Sequence, residues 1–214
     1  MTTVRIWFTK TGEASYISLL DLQRVMQRSL KRSRLPVWYT MGFNPHIYMT
    51  FACPLPLGQE SLVESVDVKT ELDEVPFEQW QEALQKVMPL GIKVVRVAKP
   101  VHKAEQIAFA RYELRFPGTL AEHFEQYNQL EQAVVLKKTK RGHKEINLKE
   151  SLPVIAWETN QSECLAQITL PAGEGLNLNP SLFLNFFQEQ LGMNSTEVSV
   201  LRTGLFLKNM EEFL

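Results

Sequence analysis

The sequence predicts an α+β fold made of two βαββαβ halves with antiparallel sheets. Three observations predict it. Short alternating stretches rich in β-branched residues recur between longer stretches whose apolar residues fall at helical spacing. In order they read strand, helix, strand, strand, helix, strand, and then the same series again with an insertion. A joint containing Pro100 separates the two series. The chain has 214 residues, 44% of them hydrophobic, enough for one large core or two small ones.

Taken in order, residues 3–8 alternate and carry β-branched and aromatic types, which predicts a strand. Thr11-Gly12-Glu13 turns the chain. Ser18 is placed as an N-cap, with Asp21 three residues on in the manner of a capping box. A helix over 19–34 follows, with Leu19, Leu22, Val25, Met26 and Leu30 on one face and Arg24, Arg28, Lys31 and Arg32 on the other. Pro36 ends it. Residues 37–39 form a short strand before a Gly-Phe-Asn-Pro loop, and 48–52 are extended again. Pro54 and Pro56 oppose a long ladder there. Residues 62–72 alternate as a strand. Pro76 opens a helix striped by Phe77, Trp80, Leu84 and Val87. Pro89 and Gly91 stop it, and 92–97 form a strand. This is the ferredoxin-like order.

Residues 1–98 therefore make a first half, 99–105 a linker, and 106–214 a second half. The second half reads as a strand over 107–116, a helix over 120–130 and a strand over 133–138. Short strands at 146–148 and 154–157 read as a hairpin excursion. A strand over 165–170 follows, then a helix capped by Asn179 with Pro180 at its first position and running to 191. A strand over 198–207 closes the series. The halves share a pattern and no sequence repeat.

Net charge is −1, so no global field draws nucleic acid, and any such binding must come from local clusters. The two cysteines, Cys53 and Cys164, cannot by themselves build a thiolate iron–sulfur or zinc site. Few cysteines in apolar company fit a reducing cytoplasm. The opening MTTVRIWFTK lacks the apolar core of a signal peptide, and no run is long enough to span a bilayer. A soluble cytoplasmic protein is expected.

Three regions carry candidate chemistry. The first is the basic helix face of Arg24, Arg28, Lys31 and Arg32, suited to phosphates, although such faces are commonly just solvated. The second is the tract from Lys137 to Lys144. It holds Lys137, Lys138, Lys140, Arg141, His143 and Lys144 with no acid before Glu145. Gly142 predicts a turn that would project these charges from a hairpin tip, and a solubilising edge hairpin would look similar. The third is the aromatic, proline-rich stretch 37–58. Its Phe43, Asn44 and His46 are candidates for substrate contact, and its aromatics are equally candidates for core. Among the four histidines none has metal-ligand spacing with another ligand type. His46 is the best acid–base candidate, with no visible partner. No phosphate-binding Walker loop or dinucleotide fingerprint is present.

Lys10-Thr11-Gly12, Leu20-Asp21-Leu22, Arg28 and Gly42-Phe43-Asn44-Pro45 together resemble the radical SAM-linked family, a domain of unknown function. Thr139-Lys140-Arg141-Gly142, Ile146-Asn147-Leu148 and Arg202-Thr203-Gly204 resemble that family's later motifs. The chain departs from it at Ser18-Leu19, where a serine–histidine pair is common, and at His46, where an arginine is common. The resemblance implies a radical SAM enzyme as partner, with the iron–sulfur cluster and S-adenosylmethionine held there and no cofactor in this chain. The expected function is an RNA-binding or substrate-presenting module without catalysis of its own. Its phosphate and substrate contacts would be Arg24, Arg28, Lys31, Arg32, Phe43, Asn44, His46, Lys138, Lys140 and Arg141. A metal-independent ribonuclease or RNA-modifying enzyme using His46 is the second expectation. A protein adaptor docking through 49–57 is the third.

Overall fold

The computed structural model describes residues 1–139, 142–160, 162–173 and 176–214, with the backbone alone for Thr139 and Asn160. Lys140 and Arg141 of the basic tract lie outside the described residues. The chain divides into two compact units. One comprises Met1–Ile107 with Glu212–Leu214, and the other Ala108–Glu211.

In the first unit, β1 (Thr2–Lys10) leads through a 3-10 turn (Gly12–Tyr16) into α1 (Leu19–Arg32). Then come β2 (Met49–Phe51), β3 (Glu60–Thr70), α2 (Phe77–Gln85) and β4 (Ile92–Ala98). The strands lie in the order β4-β1-β3-β2, and each neighbouring pair is antiparallel. Strand alternation places Val4, Ile6 and Phe8 on one face. They meet Val66, Val68 and Val94 beside them, and Leu22, Met26, Leu30, Trp80 and Leu84 of the two helices above. The opposite face carries Arg5, fully buried, gripping Asp67 through two hydrogen bonds of 2.7 and 2.8 Å. Phe213 lies over that guanidinium at 4.4 Å, and the Leu214 carbonyl accepts from it.

The outer edge of β4 is occupied by glutamines of α2. Gln85 Oε1 accepts the Val94 N–H at 2.8 Å, and Gln81 Nε2 donates to the Val95 carbonyl at 3.2 Å. At the end of that edge, Gly91 adopts φ +81°. A Cβ there would sit 2.5 Å from the Thr11 carbonyl oxygen, so the approach of 91 to the 10–12 turn demands glycine.

The second unit contains β5 (Ile107–Pro117), α3 (Ala121–Gln129), β6 (Val134–Thr139), β7 (Gly142–Asn147), β8 (Trp157–Asn160), β9 (Glu163–Pro171), α4 (Pro180–Leu191) and β10 (Ser199–Leu207). Its main strands lie in the order β10-β5-β9-β8, while β6 and β7 form a separate two-stranded ladder. The core is aromatic: Phe116 stacks on Phe124 at 4.2 Å, and Phe187 packs against both Phe124 and Tyr127. Asn179 caps α4 by accepting the Ser181 N–H, with Pro180 in its first turn, and the left-handed Gly192 closes it.

The α+β class is as the sequence predicts. Several elements shift. The first helix stops at Arg32, four residues before Pro36, because Arg34 turns left-handed at φ 57°. Leu19 stands partly exposed at the helix start instead of in the core. The strand expected at 154–157 falls at Trp157–Asn160, where it pairs with Ala166–Glu163. Pro76 precedes the second helix as its cap rather than sitting inside it.

Candidate functional site

Helix α1 separates its faces cleanly. Leu22, Met26, Ser29 and Leu30 are buried, whereas Arg24, Arg28, Lys31 and Arg32 are exposed along one stripe. The Ser18 hydroxyl accepts the Asp21 N–H at 3.1 Å and donates to the Asp21 carboxylate at 2.7 Å. Arg24 bonds the other carboxylate oxygen at 2.9 Å. The Ser18 hydroxyl, and after it the Arg24 guanidinium, hold the Asp21 carboxyl below its usual range. Arg24 is thus partly neutralised within its own helix. Among the described residues Arg28, Lys31 and Arg32 have no acidic partner.

The Gly-Phe-Asn-Pro stretch is a hairpin-like excursion from the sheet edge. Val37 bridges Thr70, the chain leaves the sheet, and it rejoins at Met49 opposite Val68. Trp38 and Tyr48 close the neck in an edge-to-face pair at 6.4 Å, with the Lys69 ammonium 4.6 Å from the Tyr48 ring. Above them Tyr39 bridges Ile47, and Thr40 N–H donates to the His46 carbonyl. The tip holds Met41 and Phe43, both almost wholly exposed. Gly42, at φ +130°, makes the tight turn possible. The aromatics therefore divide: those of the neck pack together, and Phe43 projects.

His46 is held at this tip. Its Nδ1 lies 3.1 Å from the Asn44 carbonyl and 3.0 Å from Thr40 Oγ1, and its N–H donates to the same hydroxyl. A carbonyl can only accept, so the Asn44 contact is a hydrogen bond in the tautomer that carries the proton on Nδ1, while the Thr40 hydroxyl can serve either tautomer. Asn44 contributes its backbone carbonyl here and is itself exposed. In the adjoining segment, Met49 and Phe51 pack against the core while Leu57 is exposed.

In the second unit, the β6–β7 ladder concentrates charge. Lys137 stands opposite Lys144, and Lys138 opposite His143. Lys138, His143 and Lys144 are exposed, and the Lys137 ammonium donates to the Asn177 carbonyl. Like charges facing across a ladder repel and destabilise it. Alongside runs a groove of about 420 Å³ between β6 and α4, lined by Val134, Leu136, His143, Asn185, Phe186 and Gln190 among others.

Sequence reasoning missed some polar groups at work inside the fold. Lys10, nearly fully buried, reaches the Ser15 carbonyl at 3.0 Å and so braces the Lys-Thr-Gly turn. The signal was a lysine ending an alternating apolar strand on its inward parity. Lys149 closes the end of α3 by donating to the carbonyls of Tyr127 at 3.1 Å, Asn128 at 3.4 Å and Pro153. Withdrawal from water pulls the pKa of its ammonium down. Tyr127 donates to the Leu152 carbonyl at 2.6 Å, and burial pushes its phenol well above the usual value. Among the described residues no three His, Cys, Asp or Glu side chains gather in a way that could hold a metal. No described helix is long and apolar enough to cross a membrane.

No curated protein matches the chain. A family described as an uncharacterized protein conserved in bacteria, DUF2344, matches residues 3–180. That match spans the first unit from residue 3 to Ile107, leaving out its closing segment Glu212–Leu214, and the second as far as the start of α4, with the basic helix, the projecting loop and the charged ladder all inside it. The chain belongs to the DUF2344 family.

Proposed function

We propose that this protein is an RNA-binding or substrate-presenting module that acts with a radical SAM enzyme on RNA. The observation that carries the RNA reading is the β6–β7 ladder. Three lysines and a histidine face one another across successive rungs with no acid among them. The Lys137–Lys144 rung sets like charges face to face and is relieved by an anionic partner such as a phosphate backbone. The exposed stripe of Arg28, Lys31 and Arg32, suited to phosphates, and the projecting Phe43, on which an unpaired base can stack, each support the same reading. The radical SAM partner rests on the sequence motifs, and the cluster and S-adenosylmethionine would reside in that partner. The strand orders β4-β1-β3-β2 and β10-β5-β9-β8 support a ferredoxin-like reading of both halves, each pairing its first strand with its third and fourth.

Fluorescence anisotropy with total cellular RNA across a salt series tests this. Steep loss of binding with salt is expected, and charge reversal by Lys138→Glu with Lys144→Glu should abolish binding while the protein stays folded. Unchanged affinity in that variant sinks the assignment.

The Asn44 carbonyl beside His46 Nδ1 supports a second reading, in which Nε2 acts as a base in metal-independent RNA cleavage. Cleavage of labelled RNA in EDTA, lost in His46→Ala, would establish it. No cleavage by the wild type would remove it.

A further inference from the structure

We infer that the groove between β6 and α4 holds an unpaired nucleobase of the bound strand, with Lys138 beside it carrying a flanking phosphate. The inference rests on the RNA reading above and assigns a site within it. The groove's volume of about 420 Å³ falls in the ordinary range for small-ligand sites, roughly 300–1,000 Å³. Its chemistry is divided in a way that suits a nucleotide. Apolar lining comes from Val134 and Leu136 of β6 and from Leu182 and Phe186 of α4. Val134 and Leu136 are about half exposed or more, so apolar surface is already open to a flat ring. The same lining carries neutral hydrogen-bonding groups, Asn185 and Gln190, together with His143. Residues 182, 185, 186, 189 and 190 follow helical spacing, so α4 presents them as one stripe.

Among the described residues the Asn185 and Gln190 amides have no hydrogen-bond partner. Each offers a donor and an acceptor side by side, which is the pattern that reads a base edge. Among the described residues Glu189 is the one acid in the lining, and a carboxylate accepts from a base amino group while repelling phosphate. Lys138 stands outside the lining on the same parity as Val134, Leu136 and His143, whereas Lys137 and Lys144 fall on the other face of the ladder. Charge at Lys138 and amides in the groove match a ring placed beside a phosphate. An extended peptide would be satisfied by backbone pairing alone and has no use for the facing lysines.

The test compares two labelled single strands of equal length and charge, one an ordinary mixed-sequence RNA and one lacking bases at all positions. Binding is read by anisotropy at fixed salt on the wild type and on Leu136→Ser and Asn185→Ala/Gln190→Ala variants. These are surface changes, and circular dichroism confirms that each variant folds. The wild type should bind the ordinary strand roughly tenfold or more tightly than the base-free one. Both variants should shrink that ratio toward one and leave affinity for the base-free strand unchanged. Equal affinity of the wild type for the two strands, or a ratio that survives in both variants, overturns the groove assignment and leaves the RNA reading standing. A wild type that binds neither strand at low salt overturns the RNA reading, and this inference falls with it.

Discussion

Arg5 and Asp67 face each other across the β1–β3 ladder and are joined by two hydrogen bonds, with Arg5 wholly buried and Asp67 still touching water. The pair is asymmetric, so its two halves should not be equally dispensable. Removing Asp67 strands a buried guanidinium, whereas removing Arg5 leaves a carboxylate that water can reach. Asp67→Ala should lower stability by about 3–5 kcal/mol. Arg5→Met should cost clearly less, because its methylenes are kept. Urea denaturation of both measures the difference, and a smaller loss for Asp67→Ala than for Arg5→Met contradicts the account.

Gly91 and Gly58 share a left-handed backbone but not a neighbourhood. At Gly91 an added Cβ meets the Thr11 carbonyl, whereas at Gly58 nothing lies within 4 Å. Gly91→Ala should destabilise by about 2–5 kcal/mol, strain and clash together, and Gly58→Ala by about 1 kcal/mol from strain alone. Thermal melts of the two variants separate these terms, and equal losses would show that the junction between 91 and the 10–12 turn yields easily.

The buried Tyr127 phenol makes the fold sensitive to alkali. Its pKa is raised in the folded state, so below about pH 10 both states are protonated and its contribution is intact. Above that the unfolded chain alone ionises, and stability is lost as pH rises. Tyr127→Phe should cost about 1–2 kcal/mol at neutral pH by orphaning the Leu152 carbonyl. It should also flatten the fall in melting temperature between pH 9 and pH 11. A variant whose pH profile runs parallel to the wild type refutes this.

If the α1 stripe follows a phosphate backbone, Arg28→Gln with Arg32→Gln should weaken RNA binding evenly across sequences. The log–log salt slope should become shallower by about 1–2, since each lost phosphate contact releases one fewer counterion. Arg24→Gln should do less, because Asp21 already holds that side chain. A slope unmoved by the double variant makes the stripe plain solvated surface.

Local chemistry made much of this fold legible. Ser18 and Asn179 cap helices because their side chains match the orphan N–H groups at those ends, and Leu22, Met26 and Leu30 recur at a period that buries one face. What stayed hidden depends on partners far along the chain. Strand β8 is short and polar, and only its pairing with β9 identifies it, so the apolar residues just before it drew the expected strand too early. In the projecting loop, Trp38, Phe43 and Tyr48 look alike as residues. Which of them packs and which projects is decided where Val37 and Met49 meet β3. Lys10 and Lys149 are long chains that read as solvent-facing until the carbonyls they reach are known.

The glutamines along β4 have one more consequence. A bare strand edge invites another molecule's backbone to dock and, repeated, to seed fibres. Gln81 and Gln85 occupy hydrogen-bonding sites on that edge with side chains instead of a neighbouring strand. A helix thereby ends the ladder chemically, and a newly made chain folding in a crowded cell has one fewer place to stick to its siblings.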